Sequence, residues 1–216
     1  MPVKRRATSP GRRLLRHDRA LGCRFVAGAD EAGRGALAGP LVAAAVLLEP
    51  GALDRCARAD LGRLDDSKRL SPAAREELAL VIYSVAIAVG VVAVASEEID
   101  RHGIQAANLG GLSRSLDLLV APAGCALLVD GFVLPMQARE HRSIVQGDAT
   151  SAAIAAASII AKTTRDRVMD GLDLACPGYG FARHAGYGTA AHCEAIARLG
   201  PVAAHRRSFA PLSRAA

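Results

Sequence analysis

The 216 residues are long enough for one domain with a substantial core. Hydrophobic residues make up 51% of the chain but aromatic ones only 3%, with no tryptophan, which argues against a protein that grips single strands by stacking bases. The formal charge of +6 is concentrated: residues 1–22 carry seven of the 27 basic side chains against Asp18 alone, and the remainder balances.

That first stretch reads as a basic, flexible N-terminal arm, with a single domain from residue 23 onward. Such an arm attracts nucleic-acid phosphates. A solubilising tail, or an Arg-rich, acid-poor transit peptide, explains it equally well. No apolar segment follows it as a secretory signal would require, and the longest apolar runs, 86–95 and 152–157, fall short of a membrane span. The five cysteines are odd in number and form no C-x-x-C pair. They fit reduced thiols in a cytoplasm better than a disulfide framework or a zinc site.

Phe25 to Ala29 and Leu41 to Leu48 are apolar, the pattern of two buried strands joined by a glycine-bent loop. Between them lie Asp30 and Glu31, followed by Gly33-Arg34-Gly35. Two acids ending a buried strand are costly to desolvate unless a cation or hydrogen bonds offset their charge. They mark either a solvated turn or a divalent-metal site, for which carboxylate oxygens suit Mg²⁺ or Mn²⁺. Neighbours on a strand point to opposite faces, so a shared site requires the pleat to break near Glu31.

Further on, Ser71-Pro72 predicts a helix to about Val81, with a hydroxyl cap and proline at its first position. Asp66-Ser67-Lys68 is, by itself, its polar approach. Ala86 to Ala95 predicts a buried strand. Ser96 opens a helix with Glu97 and Glu98 in its first turn, where acids suit the helix dipole. A further helix spans Ile104 to Val120. Cys125 to Asp130 and Ser143 to Asp148 are short apolar runs that again end in Asp. Each alone fits a turn Asp beside Gly. Together with Asp30 and Glu31, Asp130 and Asp148 suit an α/β sheet that gathers carboxylates at its strand ends for two-metal chemistry.

Ser151 to about Leu172 predicts an Ala-rich helix whose first half is apolar on nearly every side, hence buried on more than one face. Ser158, Lys162 and Asp166 share one stripe of it. They form either an ion pair on a partly exposed end or a wall of the site. Pro177 to Thr189 is a glycine-punctuated loop with two tyrosines, and Thr189 caps a last helix to about Leu199. No G-x-x-x-x-G-K-[ST] occurs, which argues against a P-loop hydrolase.

Five stretches resemble ribonuclease HII in the order that family has them. They are Asp30-Glu-Ala-Gly-Arg-Gly35 with Ala38 to Val46, Asp66-Ser-Lys68, Ser151 to Lys162 with Arg165 to Met169, Gly186-Tyr-Gly-Thr189, and His205-Arg-Arg-Ser-Phe209. The resemblance covers roughly residues 23–210. It implies an RNase H-like α/β fold, a mixed central sheet flanked by helices with a C-terminal helical extension. It further implies an endoribonuclease that uses Mg²⁺ or Mn²⁺, two ions during catalysis; the cysteines point to the cytoplasm, and since nothing in the sequence suggests a dimer interface, a monomer is expected. Its substrates would be RNA–DNA hybrids and DNA duplexes containing single ribonucleotides, nicked on the 5′ side as in ribonucleotide excision repair to leave 3′-hydroxyl and 5′-phosphate ends. Asp30, Glu31, Asp130 and Asp148 would be the catalytic, metal-holding residues. Gly33, Arg34, Gly35, Lys68, Ser158, Lys162 and Tyr187 would bind substrate, with Asp166 supporting them. Ala185 and Gly188 depart from the family pattern, which has Lys and Pro there; the first removes a phosphate contact and the second loosens the loop.

Overall fold

The computed structural model describes residues 9–67 and 69–214. Strands β1 (Val26–Ala32), β2 (Leu41–Leu48) and β3 (Ala88–Val94) form an antiparallel meander. β4 (Ala126–Asp130) and β5 (Arg142–Ile144) extend the sheet in parallel from the other edge of β1, giving the order β3-β2-β1-β4-β5. β1 and β4 run in register from Val26↔Ala126 to Ala29↔Val129, so Asp30 and Asp130 follow as neighbours at the carboxyl ends of parallel strands.

Every residue of β2 is buried, which explains its unbroken apolar run. Alternate side chains enter two cores. Val42, Ala44 and Val46 pack with helices α1 (Pro10–Ala20), α3 (Pro72–Val85) and α6 (Ala152–Ala175). Leu41, Ala43, Ala45 and Leu47 pack against Leu112 and Leu116 of α5 (Ile104–Asp117), which continues through Gly110-Gly111. The first ten residues of α6 are all buried, as its all-round apolar character requires. Its backbone lies directly on β1: a Cβ at Gly28 would sit 2.2 Å from the Ala153 carbonyl carbon. Small residues on both elements thus let α6 carry Ser158 and Lys162 to the carboxyl end of β1.

Two expectations are corrected. Residues 10–20 do not belong to a flexible arm, because α1 buries Leu14, Leu15 and Asp18 at helical spacing. Asp18 Oδ2 accepts from Ala153 N at 2.9 Å, tying α1 to the first turn of α6. Residues 1–8 lie outside the described residues. The third run does not reach Asp148 as a strand: β5 stops at Ile144, Gln146 turns left-handed, and Asp148 sits in a 3₁₀ turn, Gly147–Ala149. The reason is local, since Gly147 N donates to the Asp130 carboxylate at 2.6 Å instead of continuing a ladder.

The remaining helices are α2 (Arg55–Asp60), α4 (Ser96–His102), α7 (Phe181–His184) and α8 (Ala190–Leu199). α7 and α8 close over Met169, Tyr179 and Phe181 as a small core of their own. Among the described residues, no helix is long and apolar enough to cross a membrane.

Candidate active site

A cavity of about 480 Å³ opens where β1 and β4 end. It is lined by Asp30, Glu31, Asp130 and Asp148, by Gly33-Arg34-Gly35, and by Ser158, Lys162 and Tyr187. The sequence-predicted residues therefore come together with two exceptions. Asp166 stands outside the cavity, and Lys68 lies outside the described residues.

Asp30 is only 6% exposed. Its Oδ1 accepts from Glu31 N at 2.7 Å, and its carboxyl also bonds the Ser158 side chain, which pairs with buried Ser67 Oγ at 3.0 Å. Burial, then the charges of Glu31 and Asp130, push the Asp30 carboxyl well above the usual carboxylate range. β1 does not break its pleat at Glu31, as its antiparallel ladder continues to Ala32↔Val42. The pairing with β4 instead stops at Ala29, and both acids reach the cavity where the two strands part.

Lys162 donates to Asp166, which also accepts from Arg75 Nη2 at 3.2 Å. Arg75 Nη1 in turn donates to the carbonyls of Ser67 and Leu70. Asp166 thus fixes the Lys162 ammonium at the cavity wall and holds the Ser67 loop against α6.

The Gly33–Pro40 loop has almost no ladder of its own, and two buried guanidiniums hold it. Arg165 donates to Pro40 O at 2.9 Å and Ala38 O at 3.1 Å. Arg206 donates to Gly39 O at 2.9 and 3.1 Å and to Arg34 O at 3.0 Å. Burial and the nearby Arg165 charge bring Arg206 down to about 10. Gly33 adopts φ +89°, and a Cβ there would lie 1.9 Å from Arg165 Nε. The Arg34 side chain reaches outward to Gln105 Oε1 at 2.8 Å and over the Phe132 ring at 4.8 Å.

Tyr187 is 41% exposed, with its ring 5.5 Å from the Arg165 guanidinium. A line of imidazoles anchors its backbone. Val202 N donates to His205 Nδ1 at 3.0 Å, His205 Nε2 meets His192 Nε2 at 3.1 Å, and His192 Nδ1 meets Tyr187 O at 3.0 Å. One set of neutral tautomers satisfies all three, with His205 Nε2–H and His192 Nδ1–H as donors. Burial holds both imidazoles below their usual value. Sequence reasoning gave no role to Ser67, Arg75, Arg165, His192 or Arg206. Arg165 lies two turns beyond Ser158, but it stands among Lys162, Thr163, Thr164, Asp166 and Arg167, so nothing in the local sequence marked it as buried.

The all-oxygen donor set and the crowded charge at Asp30 fit a hard divalent cation. Among the described residues, no three His, Cys, Asp or Glu side chains are grouped so that they alone could hold a metal ion. Mg²⁺ is commonly bound through one or two carboxylates, with water and substrate phosphate completing its shell.

Over residues 27–212 the chain matches the ribonuclease HII family. It is 50% identical over 191 residues to ribonuclease HII of Mycobacterium bovis, covering 88% of this chain and 70% of that one. It is 53% identical over 184 residues to ribonuclease HII of Nocardia farcinica, covering 85% and 71%. The solved ribonuclease H2 of Pyrococcus horikoshii superposes with a TM-score of 0.72 at 26% identity, covering 88% of this chain and 96% of that one. The cavity, its sheet and these relatives agree: the protein is a hydrolase, an endoribonuclease of ribonuclease H type, and belongs to the ribonuclease HII family.

Proposed function

We propose that the protein cuts the RNA strand of RNA–DNA hybrids and nicks duplex DNA on the 5′ side of a single embedded ribonucleotide, leaving 3′-hydroxyl and 5′-phosphate ends. The observation that carries this reading is the meeting, in one cavity, of four carboxylates with a glycine-bent backbone and an exposed tyrosine. Asp30, Glu31, Asp130 and Asp148 would hold Mg²⁺ or Mn²⁺, two ions during catalysis. When bound, such ions neutralise phosphate charge and lower the pKa of water.

The chain's own residues do the rest. RNA differs from DNA at the sugar through its 2′-hydroxyl, which both donates and accepts. The Gly33-Arg34-Gly35 backbone can approach that hydroxyl closely because glycine has no Cβ. The clamp of Arg165 and Arg206 keeps this loop in one shape before substrate arrives, so little ordering cost falls on binding. Lys162, fixed by Asp166, and Arg34 face backbone phosphates, a role Lys68 shares by family resemblance. Ser158 keeps Asp30 oriented through its hydrogen bond. Tyr187 packs on the sugar next to the scissile junction and disfavours a second ribose. The free cysteines support a cytoplasmic setting.

The test is a DNA duplex carrying one ribonucleotide, mapped with Mg²⁺, Mn²⁺ and chelator beside an all-DNA control. A metal-dependent nick just 5′ of the ribonucleotide, absent from the control, is expected. Asp130→Asn keeps the acceptor for Gly147 N and so the fold, yet turnover should fall about a thousandfold or more, roughly 4 kcal/mol of transition-state stabilisation. Retained turnover would remove Asp130 from the chemistry.

A further inference from the structure

Helix α1 turns Leu14, Leu15 and Asp18 inward and carries Arg12, Arg13, Arg16 and Arg19 around its other sides. At about 100° per residue, Arg13 and Arg16 lie on its outer crest, with Arg12 and Arg19 on one flank. On the opposite flank Arg13 borders a groove that also contains Asp130 and Asp148 of the carboxylate cavity, together with Arg69. On the first flank, Arg12, Arg16 and Arg19 face Arg55 and Arg58 of α2 across a groove of about 370 Å³, lined among the described residues also by Leu15. Asp65 and Asp66 also line the groove beside Arg13 and Arg69, with Asp65 Oδ1 3.7 Å from Arg69 Nη1, so the unbroken basic surface begins at Arg13 and Arg16 on the crest of α1 and leads into a groove walled by five guanidiniums.

Like charges gathered this way repel one another and weaken the fold unless an anion joins them. Arg19 and Arg58 donate to the carbonyls of Pro50 and Leu53. Among the described residues, the side chains of Arg12, Arg16 and Arg55 make no hydrogen bond or ion pair. The guanidinium fork matches phosphate oxygens, and among the described residues no aromatic ring lines the groove for stacking unpaired bases.

We propose that this arginine groove is a second docking site for the substrate. It takes backbone phosphates of the duplex about one helix diameter, ~10 Å, beyond the cavity where the strand is cut. The site rests on the functional reading above and deepens it. It reads no sequence, because phosphate contacts fix register and orientation only. It lies to one side of the cavity, so it favours duplexes whose longer arm extends that way.

The test measures binding by fluorescence anisotropy, in chelator, of a labelled duplex with one ribonucleotide over a range of salt. Replacing Arg12, Arg16 and Arg55 together by Gln should make the slope of log affinity against log salt shallower by about 2 to 3, and the same three changed to Lys should keep it. In parallel, KM is compared for two duplexes of equal length with the ribonucleotide near one end or the other. The wild type should prefer one of them, and the Gln variant should treat both alike. An unchanged slope with an unchanged preference overturns the proposal. So does competition by tripolyphosphate that depends on these arginines while the duplex slope does not, since the groove would then serve a free polyphosphate. If the wild type cuts neither duplex, the functional reading fails, while the salt slopes still decide the groove.

Discussion

The Asp30 carboxyl loses its water on burial and faces Glu31 and Asp130, so ionising it in the folded chain costs free energy. An acid whose folded pKa is raised favours the fold in its protonated form. That contribution is present below the usual carboxylate range and is lost as pH rises through the raised value. Asp30→Asn keeps an acceptor for Glu31 N without the charge. In chelator at pH 7 it should therefore raise Tm by a few degrees, roughly 1 kcal/mol, while abolishing cleavage. Calorimetry beside the nicking assay checks both; a lowered Tm would show that the carboxylate crowding carries no cost. Gly33→Ala works the other way. Its Cβ would displace the buried Arg165 guanidinium from Ala38 and Pro40, and its φ disfavours a side chain. A loss of about 2–4 kcal/mol in urea denaturation is expected. At this scale the sequence was legible in which residues gather at the cavity where residue type alone is telling, as with Asp30, Glu31 and Gly33. It was opaque for Arg206, whose role depends on which carbonyls tertiary folding brings to it.

The junction of α1 with α6 shows what was lost at the scale of elements. The arginines of residues 1–22 dominated their composition, although the spacing of Leu14, Leu15 and Asp18 already outlined a buried face. Asp148 was found for a partly wrong reason: Gly-Asp after an apolar run reads the same on a strand end as on the 3₁₀ turn that carries it. The α1–α6 contact is testable through Asp18, which is fully buried and bonds Ala153 N with Ser151 and His17 beside it. Burial raises its pKa above the ordinary 3.8 despite those hydrogen bonds. Protonated Asp18 thus favours the fold, so the stability of wild type minus that of Asp18→Asn should fall as pH rises past 3.8, then level off above the raised folded value. Urea titrations at pH 4 and pH 7 measure the difference. Equal values would mean Asp18 meets the same environment folded and unfolded.

Across the whole molecule, the cavity is assembled from distant parts of the chain. His205 pairs with Ala38, Arg206 N donates to Leu37 O, and Gly39 N donates to Ala204 O. The same segment reaches Tyr187 through His205 and His192. His192→Asn places an amide donor near the Nδ1 position, whereas His192→Ala removes it. The Ala variant should raise KM for a single-ribonucleotide duplex about two- to tenfold with kcat held, the worth of one hydrogen bond, and Asn should restore most of it. Equal KM values for all three proteins would leave the imidazole line without a part in holding Tyr187. The segment's contribution was not legible beforehand because its partners lie more than 160 residues away in sequence, as with Arg206 and Gly39. The same clamp bears on how the protein is born. Every carboxylate of the cavity is synthesised before Arg206, so the sheet can gather its acids while Arg165 is the one guanidinium of the pair yet made to hold the Gly33-Arg34-Gly35 loop. On the proposed reading of that loop, a chain emerging from the ribosome carries all its cavity acids before it carries the second half of the clamp that shapes its sugar-facing backbone.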